Sequence, residues 1–569
     1  MCNAMQHGGP DDSGIYTNEK AGLTFGHRRL SIIDLSKNGH QPMADADQKI
    51  WLTFNGEIYN FHELKKKLLA FGAKFNSNTD TEVIIQAYLQ WGVACFAKLR
   101  GMFAFALYDT IKGSVYLVRD TTGIKPLYYF INKGQLAFAS EIKAFKAAGF
   151  NNTDQRWPVW LLAFGNIPEP YTTLKDTFSL PSGHYLCWNK SSTYTINNYA
   201  GPNPQHFIND ITIAREGIYE HLQKAVTRQL IADAPIGVFL SGGIDSSVIS
   251  LLAKSQLHKL RTISIFFDEE KYDERPYQNA ILNEIKGNNY KHLVKQQDFD
   301  FFFPQIISAM DMPTTDGINS WFISKYAHDA GLKAVLSGIG ADELFGGYPS
   351  FKRITYLRYL KKLPASFFKG AQTFNKDSYK RFTYLKYNHP AADYLFVRGL
   401  YTPADIASIL NMDETHVNEI LFGINNFPDL GPYDQLHAAW FETNLYMRNQ
   451  LLRDTDVMSM SHGLEVRVPF LDEDFQDFTR QIHPDIRFDN KQPKKLLIDS
   501  FKAILPEIVW NRPKMGFSFP LENWMRTSEN ICDETLYNGR AAKSTIRKFK
   551  NGKIHWSRAF ALYQIQNHV

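Results

Sequence analysis

The chain has 569 residues, which is longer than one ordinary core supports and predicts at least two domains. Its composition, 44% hydrophobic and 21% charged, is typical of a globular protein and excludes a disordered chain. The net charge of +5 arises from 63 basic and 58 acidic residues, a balance that argues against nucleic acid or an anionic membrane as the main partner.

The four cysteines, Cys2, Cys95, Cys187 and Cys532, are far apart and form no C-x-x-C pair. This spacing argues against a disulfide framework or a zinc site. No apolar run approaches the ~20 residues of a membrane span, and the N-terminus lacks the basic and apolar regions of a signal peptide. We therefore predict a cytoplasmic protein with small-molecule substrates, and a homodimer is left open.

The first third of the chain is predicted to form strands and loops. Short apolar runs bounded by turn residues at 50–54, 103–108 and 115–118 predict buried strands. Apolar residues at helical spacing predict a helix over 80–90. The sequence Ala-Gly-Pro-Asn-Pro-Gln at 200–205 is typical of a linker, so we place the domain boundary there.

Strands and helices alternate after this boundary. This alternation predicts a doubly wound parallel sheet, and mostly helical patterning follows from about residue 355. The predicted strands are 236–240, 262–267 and 334–336, and the predicted helices are 248–254 and 341–345.

The first of two strand-glycine-helix turns has the sequence Ser-Gly-Gly-Ile-Asp-Ser-Ser at 241–247. Glycines let the backbone approach phosphate closely, hydroxyls add donors, and a helix N-terminus attracts anions. The chain contains no Walker sequence. Asp245 would repel phosphate inside such a cradle, and a magnesium ion between them resolves the conflict. The turn therefore predicts a site for magnesium and the pyrophosphate of ATP.

The second turn, Leu-Ser-Gly-Ile-Gly-Ala-Asp-Glu at 336–343, places Asp342 at another strand end. In an open parallel sheet both turns face the same crevice, so Asp245 and Asp342 could share one magnesium pyrophosphate. The alternative is two unrelated glycine turns whose aspartates cap helices. The occurrence of both turns together favours the shared site.

These residues resemble the pyrophosphate loop of the ATP-pyrophosphatase superfamily, and longer motifs narrow the resemblance to glutamine-dependent asparagine synthetases. The motifs cover nearly the whole chain and lie at 26–32, 54–60, 100–105 and 123–129 in the glutaminase half and at 462–472 in the synthetase half. The resemblance implies an αββα sandwich of the N-terminal nucleophile-hydrolase type over 1–200. It also implies a parallel-sheet ATP-pyrophosphatase domain with a helical C-terminal part over 206–569.

For the synthetase half, the resemblance implies that ATP adenylates a side-chain carboxylate and that ammonia then attacks the acyl-adenylate. Asp245 and Asp342 match the metal ligands, and Lys494 matches the lysine that neutralises the leaving pyrophosphate. The adjacent Lys495 leaves that assignment open, and a solvated helix face is the alternative for either lysine. The implied ATP-binding residues are Phe239, Ser241, Gly242, Gly243, Asp245, Ser246, Ser247, Ile265, Ser337 and Gly338.

For the glutaminase half, the resemblance implies that Arg29 grips the glutamine carboxylate and that Asp80 pairs with its amino group. The Asn55 side chain and the Gly56 N–H match the oxyanion donors. Without the resemblance, Asn55-Gly56 predicts a hairpin turn and Asp80 predicts a helix N-cap.

The start of the chain departs from the family pattern, in which Met-Cys-Gly-Ile leaves a terminal cysteine as nucleophile. Cys2 is present, but Asn3 follows it, and 7–12 already resembles a motif that the family places after a strand and a helix. We therefore expect residues 1–6 to end that helix, Cys2 to be out of register and the first strand to be missing. We hypothesise that this chain uses free ammonia and hydrolyses glutamine poorly.

A second departure is Ile339, which stands where the family carries an acidic residue thought to assist the ammonia step. Residues 312–319 show no clear aspartate-binding signature. Three hypotheses remain open at this point: amidation of aspartate, the same adenylation of a different acceptor, and a catalytically silent relative that binds ATP.

Overall fold

This computed structural model describes residues 1–189, 193–201, 206–257, 259–374, 376–424, 427–489, 491–513 and 515–568. The predicted linker falls largely on 202–205, outside the described residues, so the boundary between 1–200 and 206–569 stays a prediction. Within the described ranges, no helix combines the length and apolar character needed to cross a membrane.

The N-terminal part contains a six-stranded antiparallel sheet of order β11-β10-β6-β5-β4-β3, a β1-β2 pair and a three-stranded sheet of order β8-β7-β9. The three apolar runs predicted as strands lie in β4, β5 and β6, which confirms them. The strands are β1 (Asp12–Asn18), β2 (Leu23–Arg29), β3 (Met43–Ala44), β4 (Ile50–Ile58), β5 (Gly101–Asp109), β6 (Ser114–Arg119), β7 (Tyr128–Asn132), β8 (Gln135–Ala139), β9 (Thr177–Ser179), β10 (His184–Trp188) and β11 (Tyr194–Asn198).

These sheets form the two inner layers of a sandwich. Phe25 of β2, Leu117 of β6 and Tyr129 of β7 share one apolar core between the layers. The other face of the large sheet packs against two helices, and the outer face of the small sheet packs against two more. These helices are α1 (Phe61–Ala70) and α2 (Asp80–Trp91) on one side and α3 (Ile142–Ala147) and α4 (Trp157–Phe164) on the other. The predicted αββα sandwich is confirmed.

Two local predictions in this part are wrong. Asn55 and Gly56 lie inside β4 rather than in a hairpin turn. Gly56 has a φ of 142°, and a Cβ there would lie 2.0 Å from the Met102 carbonyl oxygen, so the close approach of β5 requires glycine. The N-cap of α2 is Thr79, whose hydroxyl accepts from Glu82 N–H at 3.2 Å, and this leaves the Asp80 carboxylate available for another role.

The C-terminal part contains a five-stranded sheet of order β14-β13-β12-β15-β16, and every neighbouring pair is parallel. Ile263 and Val335 point into one apolar core, while Val238 and Leu336 point into another, so both faces are covered as in a doubly wound fold. The strands are β12 (Ile236–Phe239), β13 (Arg261–Phe266), β14 (Asn288–Leu293), β15 (Ala334–Leu336) and β16 (Glu465–Arg467).

Helices form most of the remaining chain, as the patterning after residue 355 predicts, and a π-helix over Glu442–Leu452 joins α16 to α17. The helix predicted over 248–254 begins earlier, at Ile244. The helices are α5 (Ile211–Gln229), α6 (Ile244–Lys254), α7 (Arg275–Ile285), α8 (Gln296–Ala309), α9 (Ile318–Asp329), α10 (Ala341–Phe345), α11 (Ser350–Leu360), α12 (Asp377–Lys380), α13 (Pro390–Arg398), α14 (Pro403–Leu410), α15 (Glu414–Phe422), α16 (Gln435–Phe441), α17 (Arg453–Met460), α18 (Glu473–Gln481), α19 (Pro484–Arg487), α20 (Lys495–Phe501), α21 (Glu507–Trp510), α22 (Leu521–Thr527), α23 (Glu529–Cys532), α24 (Arg540–Lys550) and α25 (Trp556–His568).

A buried guanidinium joins the two parts of the molecule. Arg467 of β16 is 0% exposed and lies 3.1 Å from Glu57 of β4 and 2.8 Å from Glu465. Its Nη1 group donates to the carbonyl oxygens of Gln229 and Ile231 at 2.8 and 2.7 Å. Burial raises the pKa of Glu57 well above its usual range, and the attraction of Arg467 opposes that shift. The N-terminal sheet is thereby fixed to the edge of the parallel sheet.

Replacing Arg467 with methionine is expected to lower the free energy of unfolding by about 3–5 kcal/mol, because two buried carboxylates lose their counter-ion. The matched control is Arg547→Met, which breaks the exposed Arg547–Glu534 pair and is expected to leave the unfolding midpoint close to that of the parent. Urea denaturation of both variants measures the difference. Equal midpoints for the two variants would contradict the proposed structural role of Arg467.

Candidate active site

The loop after β12 is held by its own hydroxyl groups. Ser241 N–H donates to Ser246 Oγ at 3.2 Å, and Gly243 N–H donates to Ser241 Oγ at 3.3 Å. Gly242 has a φ of 82°, a conformation that favours glycine. Gly243 is the N-cap of α6, and no side chain caps that helix. A helix start of this kind favours anions through its N–H groups and its dipole.

The loop after β15 packs directly against the first loop. A Cβ at Gly338 would lie 2.8 Å from Asp245 Cβ and 3.1 Å from Ser246 N, so only glycine permits this contact. Ser337 N–H donates to the Arg467 carbonyl oxygen at 2.8 Å, which anchors the loop on β16. This contact brings the carboxylates of Asp245 and Asp342 close together. The sequence predicts this, because both turns follow strands of one parallel sheet.

Lys494 links the two carboxylates. Its Nζ lies 2.6 Å from the nearer oxygen of Asp245 and 2.6 Å from Asp342, and the residue is 5% exposed. Burial acts to lower the pKa of Lys494, but the two carboxylates outweigh burial and raise it above its usual range. Lys495 instead pairs with Asp499 one turn along α20, and its side chain is 42% exposed. The structure therefore places Lys494, and not Lys495, at the two carboxylates.

A cavity of about 1100 Å³ surrounds this cluster, slightly more than the ~300–1000 Å³ of most ligand pockets. The structure does not place Gly242, Ser247 or Ile265 in its wall. Ser247 and Ile265 are buried in the fold, and the Gly242 carbonyl oxygen accepts from Arg512 at 3.0 Å. The predicted residues that line the cavity are Phe239, Ser241, Gly243, Asp245, Ser246, Ser337, Gly338, Ile339, Asp342 and Lys494.

Arg512, which the sequence does not predict as a site residue, also lines this cavity. Its guanidinium donates to the Gly242 carbonyl oxygen and to Glu274, at 3.0 and 2.9 Å, and stacks over the Tyr277 ring. Burial raises the pKa of Glu274 to about 7, and Arg512 opposes that shift. An isolated arginine far from either loop carries no local sequence signal. Arg512 therefore links the first loop to the start of α7, through the Gly242 carbonyl oxygen on one side and Glu274 and Tyr277 on the other.

The cavity has further lining residues beside those of the phosphate cradle. Ile339 lies in its wall and packs against the main apolar core. Asp316 and Asp454 also line it, and Thr314 Oγ1 donates to Asp454 at 2.5 Å. Burial raises the pKa of Asp316 to about 6, and the nearby charge of Asp454 adds to that rise. Asp454 also pairs with Arg453 at 3.1 Å. Of these two aspartates, only Asp316 belongs to the segment in which the sequence shows no aspartate signature.

The N-terminal half contains a smaller pocket of about 70 Å³, and Arg29, Asn55, Gly56 and Asp80 all line it. The Arg29 guanidinium already donates to three backbone carbonyl oxygens of 33–36, the shortest bond being 2.6 Å. Asp80 accepts from Ile58 N–H at 2.9 Å, and burial raises its pKa to about 6. All four residues predicted for this pocket are therefore brought together.

Cys2 does not line this pocket. It begins a short helical segment, Cys2–Gly8, which confirms the expectation that the first residues are helical. Its carbonyl oxygen accepts from Arg28 at 3.3 Å, and its sulfur lies against Gly26. Cys2 therefore lies beside Arg28, which lines this pocket, without lining the pocket itself.

The carboxylates of Asp245 and Asp342 fit a magnesium ion, because both lie within 2.8 Å of one ammonium nitrogen at the predicted phosphate cradle. Magnesium is usually held by one or two carboxylates together with substrate phosphates. No group of three or more acidic, histidine or cysteine side chains suited to a metal occurs among the described residues. The site therefore fits a metal that arrives with a phosphate ligand.

Comparison with known proteins agrees with this geometry. The asparagine synthase family model matches residues 217–555, and the glutamine amidotransferase domain model matches residues 1–200. Asparagine synthetase [glutamine-hydrolyzing] 1 of Bacillus subtilis is 32% identical over 93% of this chain and 85% of its own length. A putative asparagine synthetase [glutamine-hydrolyzing] of Mycobacterium bovis is 31% identical over 92% of this chain and 84% of its own length.

A third relative, asparagine synthetase [glutamine-hydrolyzing] 3 of Bacillus subtilis, is 28% identical over 94% of this chain and 88% of its own length. These relatives confirm the prediction of an ATP-using ligase of this type, and they favour amidation of aspartate over the two alternative hypotheses. The chain therefore belongs to the asparagine synthase family, with a glutamine amidotransferase domain preceding the synthase domain.

Proposed function

We propose that this chain converts aspartate to asparagine through an acyl-adenylate, with release of AMP and pyrophosphate. The nitrogen comes from ammonia, either free or released from glutamine. The observation that carries the proposal is the buried Lys494 ammonium between Asp245 and Asp342, in a cavity large enough for ATP and a second substrate. Four unpaired cysteines support a reducing compartment, which we propose to be the cytoplasm.

In the first step an aspartate carboxylate oxygen bonds to the α-phosphorus of ATP, and the bond from that phosphorus to the pyrophosphate oxygen breaks. Negative charge builds on the leaving pyrophosphate, and the Lys494 ammonium stabilises it in a site shielded from water. Ser241 and Ser246 hydroxyls and the start of α6 hold the phosphates. Arg512 keeps this loop in place by holding the Gly242 carbonyl.

Asp245 and Asp342 would hold magnesium with the pyrophosphate. The bound ion supplies positive charge that polarises the phosphoryl oxygens and neutralises the leaving group. Lys494 lies between the two carboxylates, whose side chains are 22% and 19% exposed. Their mutual repulsion is thereby offset before substrate arrives.

In the second step the lone pair of ammonia forms the new C–N bond, the acyl carbon–oxygen bond to AMP breaks with its electron pair going to AMP, and the extra proton on nitrogen passes to water. The N-terminal pocket would bind glutamine through Arg29 and Asp80, with Asn55 and Gly56 as oxyanion donors. Because Cys2 does not line this pocket, we expect free ammonia to be the main nitrogen source of this chain. Asp80 must be ionised to pair with the glutamine ammonium group, and its pKa of about 6 leaves it ionised at neutral pH.

Replacing Lys494 with methionine is expected to lower the rate of pyrophosphate formation about 10²–10³-fold, the loss typical of removing one donor that stabilises developing charge. Methionine removes the charge while keeping a flexible, unbranched side chain of similar size. Aspartate-dependent pyrophosphate release measures the effect. Lys495→Met is the matched control and should retain the parental rate, because Lys495 pairs with Asp499 on the helix surface. Equal losses in both variants would refute the assignment.

Replacing Asp245 with alanine is expected to abolish magnesium-dependent ATP turnover, because one of two carboxylates for the metal is removed. Titration of activity with magnesium chloride tests this, and saturation should shift to higher concentration or disappear. Asp47→Ala, which removes an exposed carboxylate paired with Lys49, is the control and should leave the magnesium curve unchanged. An Asp245→Ala variant with the parental curve would show that the metal binds elsewhere.

Replacing Cys2 with alanine is expected to leave glutamine hydrolysis by this chain unchanged, because Cys2 lies outside the pocket of Arg29 and Asp80. Release of glutamate from glutamine measures this, and the ammonia-dependent rate serves as the internal reference. Brisk glutamate release that disappears in Cys2→Ala would show that Cys2 is the nucleophile after all.

A further inference from the structure

One stretch of the chain has a larger net positive charge than the whole chain. Residues 352–386, called here the basic segment, contain ten lysines and arginines and one aspartate, a net charge of +9. The whole chain has a net charge of only +5, so the remaining residues are net acidic. The net charge of the whole chain does not show this uneven distribution of charge. A basic segment in an otherwise acidic chain is typical of proteins that bind an anionic surface.

Some of these basic side chains form ion pairs within the fold. Lys361 pairs with Asp393 at 2.5 Å and Lys386 pairs with Glu414 at 3.3 Å. Three other basic side chains, Arg358, Lys362 and Lys376, are exposed and make no ion pair within the described part of the chain. Their positive charge therefore faces solvent.

Large apolar side chains are exposed on the same segment. In α11 the face containing Ile354 and Leu357 is buried, while Tyr356 and Tyr359, three residues apart, are on the opposite face. These side chains and four that follow are between 41% and 71% exposed: Tyr356, Tyr359, Leu363, Phe367, Phe374 and Tyr379. Single exposed apolar residues are ordinary, but a concentration of this kind marks an interaction surface.

We propose that the basic segment binds the surface of an anionic lipid bilayer. Tyrosine and phenylalanine rings insert at the level of the lipid headgroups, while lysine and arginine are attracted to the acidic lipids beneath them. Leu363 and Phe367 have no polar atoms to offer a nucleic acid or a polar protein surface, and both fit the boundary of the acyl chains. The outward face of α11 would lie flat on the bilayer.

The position of the segment gives this binding a consequence. Lys352 and Phe351, at the start of α11, also line the cavity that contains Lys494. The bilayer would therefore lie beside the cavity mouth rather than on a remote face. The proposed contact is with the surface of the membrane and is not a span through it.

Co-sedimentation of the full-length protein with vesicles tests the proposal, using phosphatidylcholine alone and phosphatidylcholine mixed with phosphatidylserine. We expect binding to the mixed vesicles only, weakened by added salt. The triple variant Arg358→Gln, Lys362→Gln, Lys376→Gln should bind about 10²-fold more weakly, since each basic residue near an anionic surface contributes about a fivefold change in partitioning. Phe367→Ser should weaken binding without changing its salt dependence.

The matched control is the triple variant Lys20→Gln, Lys66→Gln, Lys67→Gln, which removes three exposed charges from the N-terminal half and should bind as the parent does. Equal weakening in both triple variants would mean that only net charge matters and would overturn the proposal. So would absence of binding to acidic vesicles, or a short oligonucleotide binding the segment where vesicles do not. Pyrophosphate release by each soluble variant, measured separately, keeps this result distinct from the proposed activity.

Discussion

The synthetase site depends on one buried ammonium group held between two carboxylates. Lys494 can stay charged at 5% exposure only because Asp245 and Asp342 outweigh the cost of its burial. The carboxylates in turn can lie together only because the two loops touch, and that contact requires a glycine at 338. Parallel strands β12 and β15, adjacent at the centre of the sheet, place the two loops side by side. The fold therefore determines the site through one contact between loops.

Much of this arrangement could be predicted from local sequence. The alternation of strands and helices predicts the parallel sheet, and each glycine turn predicts its own carboxylate. Because strands of one parallel sheet end at one edge, the sequence also predicts that Asp245 and Asp342 meet. The choice between Lys494 and Lys495 could not be made this way, since both occupy neighbouring positions on a polar stretch. Only the tertiary packing of α20 separates them.

Other features could not be predicted from the sequence, because the contacts that cause them join distant parts of the chain. Asn55-Gly56 has the composition of a turn, but pairing with β5 keeps it extended within β4. β16 has only three residues, two of them charged, and becomes a strand because Arg467 finds carboxylates in both halves of the molecule. Arg512 reaches the first loop from a distant part of the chain. The basic segment could not be recognised from the net charge of all 569 residues, because acidic residues elsewhere in the chain offset its positive charge.

The central claim is that this site activates aspartate by adenylation before any nitrogen arrives. Exchange of labelled pyrophosphate into ATP tests it directly, because that exchange requires a reversible adenylation and no ammonia. The account predicts exchange that depends on aspartate and magnesium, proceeds without glutamine or ammonia, and is lost in Lys494→Met. Exchange that ignores aspartate, or turnover that yields ADP and phosphate instead, would contradict it.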